Sequence, residues 1–161
     1  IIVAWESLKE LGQTNLDGAR GRLMDIMSNY QAYRRMHLIL VFDAYKVKGN
    51  PGSTMRYHNI DVVYTKEAET ADQYIEKVSH DMSKKYRVRV ATTDGLEQLI
   101  IMGAGATRVS AREFEREVME AGEELRKTYL EQTGQPAGGR NYLLEGAPEE
   151  VLAYMESIRN E

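Results

Sequence analysis

The 161 residues carry 21 Lys and Arg against 25 Asp and Glu, a formal net charge of −4, and no cysteine. A chain of that length builds about one domain, and 42% hydrophobic content with only 3 prolines excludes disorder and low-complexity repeats. The missing cysteines exclude disulfides, thiolate zinc sites and cysteine nucleophiles and fit a reducing, cytoplasmic setting, while the acidic balance confines any nucleic-acid contact to a local patch.

The chain opens in Ile1-Ile2-Val3-Ala4-Trp5, apolar but without the basic flank or cleavage site of a signal peptide, so these residues are expected in the interior. A start directly in hydrophobic residues also leads us to expect further residues upstream in the natural protein. No apolar run approaches the roughly 20 residues of a membrane-spanning helix, and no membrane partner is expected. Leu16, Ala19, Leu23, Ile26, Met27 and Tyr30 recur at helical spacing, with Asn15 placed as the cap. Met36 to Phe42 is a continuous apolar run ending at Asp43, the pattern of a strand covered on both faces of a parallel sheet. Residues 44–59, with turn formers at Gly49-Asn50-Pro51-Gly52-Ser53, are expected as a long loop.

A strand is predicted over residues 60–65, then a helix from Ala71 to about Tyr86 through Tyr74, Ile75, Val78 and Met82. Val88 to Thr92 predicts a strand leading to Asp94, followed by a short helix through Leu96, Leu99 and Ile100 that Gly103 would end. Thr107-Arg108-Val109 is the last candidate strand, and Ser110 with Glu113 makes a capping-box pattern at the head of a helix running towards Glu131. Three glycines and a proline in residues 134–139 predict a loop, and Pro148 suits the first turn of a terminal helix to Arg159. Alternating helix and buried strand gives an α/β class: a three-layer α/β/α sandwich with a mostly parallel central sheet.

In such sheets ligands collect at the carboxyl ends of the strands. Asp43 and Asp94 follow two strands directly, and Asp72 falls in the first turn of the helix after a third. Carboxylates brought together repel, and a hard divalent cation such as Mg²⁺ or Mn²⁺ relieves that repulsion; paired ions of this kind activate water against a phosphodiester. A plainer reading stands beside it, in which Asp72 favours its helix N-terminus and the others make turn hydrogen bonds. Glu67 and Glu69 lie nearby as supporting or substitute oxygen ligands, or, for Glu67 above all, as part of a solvated loop. Residues 44–59 hold Tyr45, Lys46, Lys48, Arg56, Tyr57 and His58 and no acid, which suits single-stranded RNA, cations on phosphates and rings on bases, or else a solvated loop. Gly103-Ala104-Gly105-Ala106 follows a helix and precedes a strand, the reverse of a dinucleotide loop, and His37, His58 and His80 are too dispersed for zinc. With no nucleophile motif present, a phosphatase is the weaker alternative.

The segments Leu40-Val41-Phe42-Asp43-Ala44, Val47-Lys48-Gly49, Tyr64-Thr65-Lys66-Glu67, Glu69-Thr70-Ala71-Asp72, Val90-Ala91-Thr92-Thr93-Asp94 and Ser110-Ala111-Arg112-Glu113 together resemble the YacP-like family of NYN-domain proteins, within the PIN-like nuclease group. The resemblance implies a PIN-like fold over residues 1–133, with residues 134–161 a loop and C-terminal helix on the same domain. It implies a metal site of Asp43, Asp72 and Asp94 holding Mg²⁺ or Mn²⁺, with Thr92 and Thr93 the polar residues beside the last of them. On the reading of the residues themselves, Glu69 would support the site and Lys46, Lys48, Arg56, His58 and Arg112 would guide RNA. The family's opening strand ends in Asp-Gly-Tyr-Asn, whose aspartate is a further metal ligand, and the sequence begins just after that point. The expected activity is divalent-metal-dependent endoribonuclease cleavage of single-stranded mRNA, in association with the ribosome. The alternative is a non-catalytic RNA- or ribosome-binding module.

Overall fold

The computed structural model describes residues 1–44, 48–93 and 105–133. The expected helix over Leu96–Ile100, the Gly103 loop and everything from residue 134 onward lie outside them. The backbone clusters into two compact units, Ile1–Leu125 and Arg126–Glu161. Among the described residues, nine elements follow in chain order: α1 (Glu6–Thr14), α2 (Leu16–Arg34), β1 (Ile39–Phe42), β2 (Ser53–Tyr57), β3 (Ile60–Tyr64), α3 (Ala71–Ser83), β4 (Arg89–Thr92), β5 (Thr107–Ser110) and α4 (Ala111–Thr133).

Helix α2 forms as its spacing predicts. The Asn15 side chain accepts the Gly18 N–H at 2.8 Å, and Ala19, Leu23, Met27 and Tyr30 make one buried stripe. It ends at Arg35, in the left-handed region at φ 53°, and the Gln31 amide donates to the Met36 carbonyl at 2.6 Å, so strand β1 starts only at Ile39. Helix α1 was not anticipated, because among its residues only Leu8 is buried and the apolar stripe is correspondingly thin.

Strand β3 is the centre of a three-stranded sheet, parallel to β1 and antiparallel to β2. β4 and β5 make a separate parallel pair. The expected loop over residues 44–59 therefore contains a strand. Four of the five β2 side chains are exposed, so no buried alternation marks it; it is held by its register on β3, Ser53 opposite Tyr64 and Tyr57 opposite Ile60. Gly52 leads into it at φ +75°, where a Cβ would meet the Lys66 nitrogen at 3.1 Å and the Tyr64 carbonyl oxygen at 3.2 Å.

The main core gathers Trp5, Leu8, Leu23, Met27, Phe42, Ile60 and Val62, with Leu40, Tyr64, Phe114 and Val118 packed against it. Leu40 and Phe42 on β1 and Ile60, Val62 and Tyr64 on β3 share one sheet face by alternation, which assigns that face to α1, α2 and α4. Val63, also buried, points to the other face, and α3 lies against β1. A smaller cluster joins Val90 and Ala106 with Ile75 and Val88, so α3 also packs on β4. The opening residues are interior only in part: Ile1, Ile2 and Ala4 are half-buried and Val3 is 72% exposed, whereas Trp5 is buried, its Nε1 donates to the Ala111 carbonyl at 2.8 Å, and its ring lies 6.0 Å from that of Phe114.

Candidate functional site at the carboxyl edge of the first sheet

Parallel β1 and β3 end side by side at Phe42 and Tyr64, and the loops that follow are tied together by buried polar groups. Thr65, 1% exposed, donates its N–H to the Phe42 carbonyl at 3.1 Å, and its hydroxyl oxygen accepts the Ala44 N–H at 2.9 Å. Asp43 is thus held on a backbone fixed on both sides. Asn50 closes the arrangement: its amide donates to the Thr65 carbonyl at 3.1 Å, its side-chain oxygen accepts the Gly52 N–H at 3.0 Å, and its carbonyl accepts the Glu67 N–H at 2.9 Å. The Glu67 carboxylate accepts the Gly49 N–H at 2.8 Å. That contact orders the turn beside Lys48, and Glu67 is engaged as a loop tie.

Beyond the carboxyl end of β3 the chain enters α3 through a capping box. Gln73 N–H donates to the Thr70 hydroxyl at 3.3 Å, and the Thr70 N–H donates to the Gln73 side chain at 3.1 Å. Asp72 is exposed in the first turn, where its charge meets the positive end of the helix. Glu69 is half-buried in the preceding turn, its N–H bonded to the Lys66 carbonyl at 3.1 Å.

One cation reaches this edge from α2. The Arg20 guanidinium carbon lies 5.7 Å from the centre of the Phe42 ring and 6.0 Å from that of Tyr64, and those two rings stack with centroids 5.2 Å apart. Phe42 directly precedes Asp43 and Tyr64 directly precedes Thr65. Sequence reasoning passed over Arg20, Thr65 as a tie and Asn50. Only the pairing of β1 with β3 brings them to one edge, and no spacing along the chain signals it.

The expected site residues divide between places. Asp43 follows β1 and Asp72 opens α3, whereas Asp94 and Lys46 lie outside the described residues. Thr92 ends β4 and Thr93 follows it, at the carboxyl edge of the second sheet, where Ser110 pairs with Thr92 and the exposed Arg112 begins α4. Lys48 is exposed in the turn that Glu67 holds. Arg56 and His58 stand at the opposite, amino edge. Arg56 donates to Asp61 at 2.9 Å and to the Asn59 carbonyl at 3.0 Å, and Asp61 also sits 2.6 Å from His37 Nε2. These two partners hold the Asp61 carboxyl below the ordinary aspartate range, the His37 contact more than the Arg56 pair. His58 occupies the left-handed region at φ 50°, its ring edge-on to Tyr57.

Among the described residues, no three His, Cys, Asp or Glu side chains form a ready metal-holding group. The donors around the carboxyl edge of the first sheet are nevertheless of one chemical kind. Asp43 and Asp72 carry carboxylate oxygens, Thr65 and Glu67 are already engaged at Ala44 and Gly49, His37 and His58 lie at the amino edge, and His80 lies in the last turn of α3. Carboxylate oxygens, as a chemical kind, suit a hard divalent cation rather than zinc or copper. No helix among the described residues is long and apolar enough to cross a membrane.

The YacP-like NYN domain family matches the chain over residues 1–160. The protein YacP of Bacillus subtilis (strain 168) is 38% identical over 160 residues, spanning 99% of this chain and 91% of its own length. The crystal structure of Rae1 (YacP) from Bacillus subtilis superposes with a TM-score of 0.71 at 38% identity, over 99% of this chain and 89% of that one. A crystal structure of a point mutant of the same protein gives a TM-score of 0.72 at 36% identity, over 84% of this chain and 80% of that one. The likeness bears out the α/β architecture read from the alternation of helices and strands.

Proposed function

Because this chain belongs to the YacP-like NYN-domain family of the PIN-like nuclease superfamily, we propose that it is a divalent-metal-dependent endoribonuclease acting on single-stranded RNA. The observation that supports this reading is that Asp43 directly follows β1 at the carboxyl edge of β1 and β3, on a backbone tied through Thr65 and Asn50, and that Asp72 lies in the first turn of α3 after β3. Asp43, Asp72 and Asp94 would hold Mg²⁺ or Mn²⁺, with Glu69, Thr92 and Thr93 orienting the carboxylates. A bound ion of this kind polarises a phosphodiester oxygen and lowers the pKa of a coordinated water. The chain's own residues then do three things. The Thr65 and Asn50 ties keep the Asp43 backbone from shifting, the acids concentrate negative charge where a cation is wanted, and Lys46, Lys48 and Arg112 draw the RNA backbone in. Arg56 and His58 offer a second, more distant contact along β2. The substrate is read as mRNA, in the cytoplasm and in association with the ribosome.

The test is cleavage of single-stranded RNA by the full-length protein with Mn²⁺. Asp72→Asn and Asp43→Asn are each expected to lower the rate by roughly a hundredfold or more. Mn²⁺ is expected to raise the melting temperature of the wild type and to do so less in either variant. Undiminished cleavage in both variants would overturn the assignment. RNA binding without cleavage would turn the reading towards a non-catalytic module.

A further inference from the structure

We propose that Arg20 binds an RNA phosphate at the carboxyl edge of the first sheet, taking a phosphodiester oxygen in place of the Asp17 carboxylate it now holds. The proposal deepens the reading of this edge as an RNA-processing site and rests on it. Three observations carry it. First, Arg20 is displayed by α2 over the stacked Phe42 and Tyr64 rings, at 5.7 and 6.0 Å, next to the loops that carry Asp43 and Thr65. A guanidinium resting on aromatic faces has its plane restrained while its N–H groups stay available for a planar, two-oxygen acceptor such as phosphate.

Second, its only ion-pair partner among the described residues is a weak one. Arg20 donates to Asp17 at 2.9 Å, one helical turn earlier, yet the Asp17 side chain is 90% exposed while that of Arg20 is 26% exposed. A pair with so solvated a carboxylate contributes little and opens readily. The cation is anchored and the anion is not, so an incoming phosphate has only a surface carboxylate to displace.

Third, the edge otherwise collects acids. Asp43 follows β1, Glu67 ties the facing loop and Asp72 opens α3, and a polyanion approaching them needs a fixed positive charge. Lys48 and Lys66 are exposed there on flexible stems. Among the described residues, Arg20 is the cation at this edge that the core itself positions, through Phe42, which is 7% exposed.

The test is equilibrium binding of a labelled single-stranded RNA oligonucleotide to the full chain in EDTA, by fluorescence anisotropy across a salt series. Arg20→Gln is expected to weaken binding several-fold and to reduce the slope of log affinity against log salt by about 0.7, the value for one phosphate contact on a single strand. Arg20→Lys, which keeps the charge and loses the fork, is expected between the two. Asp17→Asn is expected to tighten binding by more than Glu10→Gln, which makes the same charge change on α1. A merely structural role for Arg20 predicts the opposite sign, since losing Asp17 would then loosen the residue and weaken binding. Unchanged affinity and slope in Arg20→Gln, or weaker binding in Asp17→Asn, overturns the proposal. Cleavage of the same oligonucleotide with Mn²⁺ is scored separately: a wild type that binds through Arg20 and does not cleave sinks the nuclease reading and leaves the phosphate contact standing.

Discussion

Thr65 shows how much a single side chain decides at this edge. A threonine after an apolar strand looks like the strand's own last residue, and its position says nothing of a partner across the sheet. In the fold it is 1% exposed and its hydroxyl satisfies the Ala44 N–H, which would otherwise sit unpaired next to Asp43. Thr65→Val keeps the shape and removes the acceptor, so it is expected to destabilise the protein by about 1–3 kcal/mol, the cost of an orphaned N–H, read from the denaturant midpoint. The same variant is expected to lower RNA cleavage more than a stability loss of that size explains, because Asp43 loses its fixed backbone. Asp43 and Asp72 themselves were legible as charges at element ends. Arg20, Asn50 and Thr65 were not, because each acts through a residue far away in sequence.

At the scale of elements, local hydrogen-bond chemistry was readable wherever it is closed within a few residues. Asn15 caps α2 as its position predicts, and Ser110 and Glu113 complete their box, the Glu113 N–H donating to the Ser110 hydroxyl at 3.3 Å and the Ser110 N–H to the Glu113 carboxylate at 2.9 Å. The box at Thr70 and Gln73 has the same logic and was overlooked. Thr70→Ala is expected to cost about 1 kcal/mol in thermal or chemical unfolding, and Thr70→Ser to restore most of it. Strand β2 is the counter-case. Its exposed Ser53, Thr54, Met55 and Arg56 bury no face, so hydrophobic patterning has nothing to report, and the strand exists because β3 offers an unpaired edge.

For the molecule as a whole, ion pairs between distant elements set the response to acid. Arg89 on β4 makes two hydrogen bonds to Glu117 on α4, at 2.7 and 3.1 Å, and Tyr30 on α2 donates to the same carboxylate at 3.3 Å. The Arg89 contact, ahead of the Tyr30 bond, holds Glu117 below the ordinary glutamate range, as His37 and Arg56 hold Asp61. A carboxyl depressed on folding contributes stability above its unfolded pKa and loses it as pH falls through the folded value. The melting temperature is therefore expected to hold steady from neutral to mildly acidic pH and to fall once the pH drops below about 4, the ordinary carboxylate range. Glu117→Gln is expected to lower the neutral-pH melting temperature and flatten that acid-side fall. An acid limb unchanged in Glu117→Gln would show that this tie does not contribute.

The sequence by itself determined the order of helices and strands in most of the described chain, the buried stripe of α2, the strand ends that carry Asp43 and Thr92, and two of its helix caps. Those features depend on residues within a turn or two of one another, or on burial that repeats with a helical or strand period. The tertiary structure alone decided which strands pair, that β2 exists, that β4 and β5 form their own sheet, and that Arg56 and His58 stand at the opposite edge from Lys48. It also brought Arg20 onto Phe42 and Tyr64. Such arrangements depend on backbone pairing and side-chain contact between segments far apart in the chain, and no local period records a partner that distant.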